Sequence, residues 1–173
     1  DRIETIAIDN SGAKWIGTQL GTPGGIAKFV DNNWTLFNTT NSGLQSDTIN
    51  CIEIDQEQNI WIGTWQGGIT KFDGSNWVTV GAAGFSASYI YYSSLAINAG
   101  TPYVAYEDGA NGNRTTVMKF DGINWVVVGV AGFSANGGSE CQSLAFYGST
   151  PYVAYADYSV GGAATVMKFN GTN

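Results

Sequence analysis

Histidine is absent from this 173-residue chain. Its absence removes Ser-His-Asp and Cys-His catalysis, imidazole metal sites and the usual near-neutral protonation switch together. Charge is scarce too: charged residues make up 12%, and 14 Asp+Glu against 7 Lys+Arg leave a net charge of −7. That sign repels phosphate backbones and anionic membrane surfaces, so nucleic acid is not an expected partner. There are 2 cysteines, Cys51 and Cys141, with no CxxC and no second ligand at metal spacing. Neither a zinc site nor a thioredoxin-type motif is supported, and two free buried thiols are expected. Long apolar runs are missing: the longest, around residues 125–130, falls far short of the roughly 18 to 20 residues a membrane helix needs, so no membrane insertion is expected. Leucine is confined to Leu20, Leu36, Leu44, Leu95 and Leu144, and no stretch carries a 3.6-residue apolar stripe. The chain begins at Asp1 with neither Met nor a basic-plus-apolar leader, the pattern of a mature chain or an excised segment.

What is present is a 43% hydrophobic, 13% aromatic sequence with 24 Gly, which is a packed and turn-rich composition rather than a disordered one. It is also repetitive. Residues 1–18 align without gaps at an offset of 46 on residues 47–64, and both stretches end in WIGT and run on into GGIAKF and GGITKF. Residues 94–124 align at an offset of 49 on residues 143–173, sharing SLA, TPYVAY and TVMKF. Lys-Phe followed by a polar turn and Asn, usually then Trp, joins all four units. Its lysines, Lys28, Lys71, Lys119 and Lys168, are spaced 43, 48 and 49 apart.

That period is the length of a four-stranded propeller blade, longer than a leucine-rich repeat. Within a unit the residues alternate as strands do: Ile6 and Ile8 share one side opposite Ala7, then a polar turn leads to Trp15 and Gly17, and Ile26, Lys28 and Val30 follow. Asp73-Gly74 and Asp121-Gly122 between apolar runs are hairpin signals. The predicted fold is all-β, a β-propeller of four-stranded antiparallel blades. Blade 1 covers about residues 1–37, blade 2 about 47–81, blade 3 about 91–129, and blade 4 about 140–173 without its outermost strand. Sheet edges left open invite pairing with further repeats or with another copy of the chain, so part of a larger or oligomeric ring is expected.

The units IAIDNSGAKWIGT…GGIAKF…W and IEIDQEQNIWIGT…GGITKFDGSNW resemble the two-component regulator propeller repeat over residues 1–80. The second pair, in which TPYVAY replaces WIGT and the following hairpin is longer, is similar to propeller repeats of secreted or surface bacterial proteins over residues 81–173. The resemblance implies a scaffold found in extracellular sensor regions and adhesin-like proteins, with no catalytic set. It places the chain outside the bacterial cytoplasm, extracellular, periplasmic or at the cell surface.

Repetition also separates packing residues from candidate functional ones. Trp15 recurs as Trp61, and Trp34 as Trp77 and Trp125, so these five are read as blade packing. The four repeated lysines are read as stems lying over a sheet. Trp65 does not recur; its counterparts in the first unit are Gln19 and Leu20. In propellers its hairpin shares a face with the connections between blades, here the segment with Tyr89, Tyr91 and Tyr92. On that face are also the hairpin with Glu107, Asp108, Asn111, Asn113 and Arg114, and its fourth-unit equivalent with Asp157 and Tyr158. Aromatic rings beside carboxylates and amides suit saccharide or peptide ligands; polar, variable loops are the plainer account of the same residues.

A calcium loop is disfavoured because Asp108, Asn111 and Asn113 do not alternate and no Glu stands at the bidentate position. Glu53 with Glu107 could supply a glycosidase-like carboxylate pair, but Glu53 aligns with Ala7 and nothing places it near another acid. The Gly-rich hairpins precede no helix and so are not phosphate loops. No catalytic residue, metal or cofactor is expected. Two functions remain. One is a non-catalytic binding or assembly scaffold whose partner is another protein or further copies of the repeat. The other is a carbohydrate- or small-ligand-recognition propeller acting through Trp65, residues 89–92 and residues 107–114.

Overall fold

The computed structural model describes residues 2–19, 24–82, 84–86, 90–136 and 138–171, without the side chain of Tyr91. Leu20, Tyr89 and Asn173 lie outside the described residues. The chain divides into two compact units, Asp1–Gly84 and Phe85–Asn173. The first holds strands β1 Arg2–Ile8, β2 Lys14–Gln19, β3 Ile26–Val30, β4 Asn33–Phe37, β5 Ile49–Ile54, β6 Ile60–Thr64, β7 Gly68–Phe72 and β8 Trp77–Thr79. The second holds β9 Ile90–Asn98, β10 Thr101–Asp108, β11 Arg114–Phe120, β12 Trp125–Val127, β13 Ser139–Tyr147, β14 Thr150–Asp157 and β15 Ala163–Lys168. Each sheet is an antiparallel meander of consecutive strands: β1-β2-β3-β4, β5-β6-β7-β8, β9-β10-β11-β12 and the three-stranded β13-β14-β15. These are propeller blades.

In the first unit the repeated Asp organises each inner hairpin. Asp9 Oδ1 accepts from the backbone N–H groups of Ser11 at 2.9 Å and Ala13 at 3.1 Å, while Oδ2 accepts the indole N–H of Trp15 at 2.9 Å. Asp55 repeats the arrangement, taking Asn59 N–H at 2.8 Å and the Trp61 indole N–H at 2.8 Å. The turn thereby fixes the ring that enters the core. Lys28 lies over Trp15 at 4.8 Å and Lys71 over Trp61 at 5.4 Å, so the repeated lysines serve blade packing.

The core of this unit centres on Trp15, Ile26, Ile49, Ile52, Ile62 and Phe72. Gly17 shows how tightly its two blades meet, because a Cβ there would come 2.5 Å from Ile49 Cγ2 and 2.7 Å from Thr5 Cγ2. Position in the repeat does not fix burial. Ile6 is 60% exposed whereas its counterpart Ile52 is 7% exposed. β5 is packed against β1 and β2 of the preceding blade, while the outer face of β1, with Ile3, Ile6 and Ile8, is open in this unit.

The second unit packs Ala105, Val117, Leu144, Val153 and Tyr155 between its two sheets. The hairpins β10–β11 and β14–β15 each carry a 3-10 turn, Gly109–Asn111 and Tyr158–Val160. Asp108 caps the first by accepting from Ala110 N–H, Asp157 caps the second by accepting from Ser159 N–H, and a left-handed Gly closes each.

Register shifts mark a β-bulge in the innermost strand pair of every sheet. In the second unit the bulges hold Tyr92 at φ 44° and Cys141, its counterpart, at φ 57°. This corrects one sequence expectation: Cys51 is buried, but Cys141, on the bulged backbone, is exposed.

Candidate functional site

The polar ends of β10 and β13 meet in the second unit. Thr115, directly opposite Glu107 across β10–β11, is fully buried and its hydroxyl lies 2.7 Å from that of Ser139. Gln142 Nε2 donates to Ser139 Oγ at 3.2 Å, to Ser139 O at 3.1 Å and to Thr115 Oγ1 at 3.4 Å. Ser139 N–H donates to Asn113 O at 2.8 Å, and Thr115 N–H to Ser134 Oγ at 2.9 Å. This network stitches one sheet to the next within the unit.

Glu107, 7% exposed, sits beside it. Burial first, then the negative charge of Glu140, pushes its carboxyl up to about 7. Glu140 in turn accepts the Tyr158 hydroxyl at 3.1 Å, and that hydrogen bond with the Glu140 charge raises the phenol. Cys141 and Tyr92 add smaller contributions in the same direction. This end of the second unit thus carries a raised carboxyl at Glu107 and a hydrogen-bonded Tyr158–Glu140 pair. Among the described residues no group of three or more His, Cys, Asp or Glu is arranged to hold a metal.

The remaining predicted residues divide sharply. Asp108 is buried and fully engaged: besides capping, its Oδ2 accepts from Asn111 Nδ2 at 2.9 Å and from Thr116 Oγ1 at 2.7 Å. Asp157 is buried as well and accepts both the N–H and the hydroxyl of Ser159. Arg114 donates from Nε to Asn111 O at 2.8 Å. These three hold their own hairpins. Tyr92 and Tyr158 are exposed. Tyr91 is placed only by its backbone, opposite Glu107 across β9–β10. Trp65 belongs to the first unit, half-buried, with its backbone N–H on Thr48 O at 3.0 Å. Glu53 is also in the first unit, where burial alone raises its carboxyl.

Glu140, Gln142, Ser139 and Thr115 escaped the sequence reading because they lie in strands, whereas candidate residues were sought in the hairpins and the connections between blades. Comparing units offered a signal. At the offset of 49, Glu140 replaces Tyr91, Cys141 replaces Tyr92 and Gln142 replaces Ser93, a cluster of departures in otherwise repeated strands.

Residues 43–66 match the two component regulator propeller family. No curated protein matches the chain by sequence. Among solved structures, the extracellular domain of a protein described as a hybrid two component system of B. thetaiotaomicron is 17% identical, with a TM-score of 0.62 over 98% of this chain and 22% of that one. A second such extracellular domain from the same organism gives 0.69 at 17% identity, over 99% of this chain and 21% of that one. A gluconolactonase of Xanthomonas campestris gives 0.56 at 14% identity, over 96% of this chain and 62% of that one. The chain thus spans about a fifth of the length of the two-component structures. At these identities the likeness establishes the propeller fold. No described helix is long and apolar enough to cross a membrane.

Proposed function

We propose that this chain is a non-catalytic β-propeller module serving as an interaction scaffold in an extracellular or periplasmic region of a bacterial protein. The observation that carries this reading is where the hairpin polar groups go. Asp108, Asp157 and Arg114, the charges best placed to meet a ligand, are consumed by caps and turns of their own hairpins. The match to the regulator propeller family over residues 43–66 and the likeness to extracellular domains support the setting.

The test is a titration of the chain with a panel of mono- and oligosaccharides, followed by tryptophan fluorescence in the native chain and in Trp65→Ala. A scaffold gives no saturable change in either. A saturable change abolished by Trp65→Ala transfers the function to the loop-recognition reading. A second reading, capture of a small polar ligand by Glu107, Glu140 and Tyr158, is favoured by the Glu107 carboxyl held near neutrality beside a hydrogen-bonded Tyr–Glu pair. Its mark is binding that weakens in Glu140→Gln and is indifferent to Trp65→Ala.

A further inference from the structure

Repetition gives the second unit an internal control. At the offset of 49, Glu107 corresponds to Ala156, Thr115 to Ala164, Ser139 to Ile90, Glu140 to Tyr91 and Gln142 to Ser93. The repeat thus builds the same strands without any of these polar groups. Yet they gather at one junction, between the sheet β9-β10-β11-β12 and the sheet β13-β14-β15.

The junction is rich in acceptors and short of donors. Glu107 and Thr115 are directly opposite in register, so both side chains leave the same face of their sheet, and both are buried. Gln142 reaches that face with Nε2 3.4 Å from Thr115 Oγ1. Its amide has one orientation, because Nε2 also donates to Ser139 O at 3.1 Å and a backbone carbonyl only accepts. Oε1 is left over, buried and without a hydrogen-bond partner.

The Glu107 carboxyl is in the same position. Among the described residues nothing donates to it, and neither Glu107 nor Glu140 is in an ion pair. Glu140 stands near enough for its charge to act on Glu107, and its Oε2 takes the Tyr158 hydroxyl at 3.1 Å. The hydroxyls of Thr115 and Ser139 are spent on each other at 2.7 Å, and Arg114 turns its Nε to Asn111 O at 2.8 Å. Buried acceptors without donors, beside a second carboxylate, call for an ion or an ordered water. Two carboxylates and an amide carbonyl are hard oxygen ligands. Calcium accepts such irregular sets and completes them with water, whereas magnesium demands a near-ideal octahedron.

We propose that Glu107, Glu140 and Gln142 Oε1 form a calcium site that ties β10 to β13 within the second unit. With two acids and one amide, it differs in make-up from the three-acid groups that the described residues lack. It shares Glu107 and Glu140 with the small-ligand reading but requires the metal alone. Because the unfolded chain does not assemble these oxygens, calcium stabilises the folded unit.

The full chain is stripped with chelator and titrated calorimetrically with calcium chloride. Saturable one-to-one binding is expected, with a dissociation constant on the order of 10⁻⁴–10⁻³ M, as in extracellular calcium modules. The thermal midpoint should rise with calcium. Terbium in its place should emit on tyrosine excitation, through Tyr158, and be displaced by calcium. Glu107→Gln and Glu140→Gln should each weaken calcium binding at least about tenfold. Both keep the side-chain shape, and melts in chelator check that they fold. Glu57→Gln removes the same charge from the first unit and should leave the affinity unchanged. No binding up to about 10 mM calcium, or binding undiminished in both junction variants, overturns the proposal. The saccharide titration is run in chelator, so a sugar that binds there and weakens in Glu140→Gln supports the small-ligand reading whatever calcium does.

Discussion

The carboxylate of Asp55 accepts the indole N–H of Trp61 at 2.8 Å, six residues along the same hairpin, with both side chains buried. The same Oδ2 takes Asn59 Nδ2 at 2.7 Å. Removing the acid strands a buried indole donor and a buried amide together. Asp55→Ala should therefore cost about 2–3 kcal/mol of unfolding free energy, read by urea denaturation. Asp9→Ala should cost less, because Asp9 is only half-buried.

Acid titration should expose two opposing carboxylate effects. At Asp9 and Asp55 burial opposes ionisation, but hydrogen bonds from the turn outweigh it and hold both carboxyls below the usual range. Their contribution is present above the unfolded carboxylate range and is lost as pH falls through the lower folded values. Glu107 runs the other way: its carboxyl is raised from 4.5 to about 7, so the unfolded chain releases that proton first and stability declines between those pH values. Thermal melts should thus show a maximum in mildly acid buffer. Glu107→Gln should flatten the decline and gain about 1–2 kcal/mol at pH 8; an unchanged slope would remove Glu107 as its source.

Thiol chemistry should split the two cysteines. Cys141 is exposed on its bulge and Cys51 is buried in β5. Intact-mass analysis after maleimide treatment is expected to show one adduct on the native chain and two in denaturant, with the native adduct mapping to Cys141. A native double adduct would mean that β5 opens readily.

The blades were legible in the sequence because their hairpins carry local signals: an Asp at the turn and a Gly-Gly in the first two units, and Lys-Phe before a polar turn and Asn in all four. Local chemistry of that kind survives translation into structure. The candidate site was not, for two physical reasons. Asp108 and Asp157 read as ligand groups in polar loops, yet their carboxylates turn inward to cap, and a sequence does not disclose which way a loop acid points. Glu140 reads as an ordinary strand residue, and its approach to Glu107 depends on how the bulged strand pairs. Burial of repeated residues also depends on neighbours that no repeat contains, as Ile6 and Ile52 show.

Close packing sets the next expectation. Gly17→Ala drives a methyl to within 2.5 Å of Ile49 Cγ2, in a core with no slack on either side, since Ile49 is fully buried. A loss of about 1–3 kcal/mol is expected, and partial rescue by Ile49→Val would assign it to that contact. Gly74→Ala serves as a comparison without steric contact, because nothing lies within 4 Å of a Cβ there; its cost comes only from the positive φ of 94°.

Two tryptophans at the same place in the repeat should behave very differently. Trp34 is 63% exposed, whereas Trp125 is 8% exposed. The sequence reading assigned both to packing, and Trp34 departs from it. Both have a strand phenylalanine beneath them, so the difference lies in the second ring: Phe85 closes over Trp125, and among the described residues no such ring stacks on Trp34 from outside. Trp125→Ala should then cost about 3–5 kcal/mol and Trp34→Ala under about 1 kcal/mol, by chemical denaturation. Phe85→Ala isolates the cause, because it uncovers Trp125 without touching it. The fluorescence of a variant retaining only Trp125 should shift to the red on that substitution and remain in place on Phe29→Ala. Equal costs for the two tryptophans would show that the linker phenylalanine adds nothing.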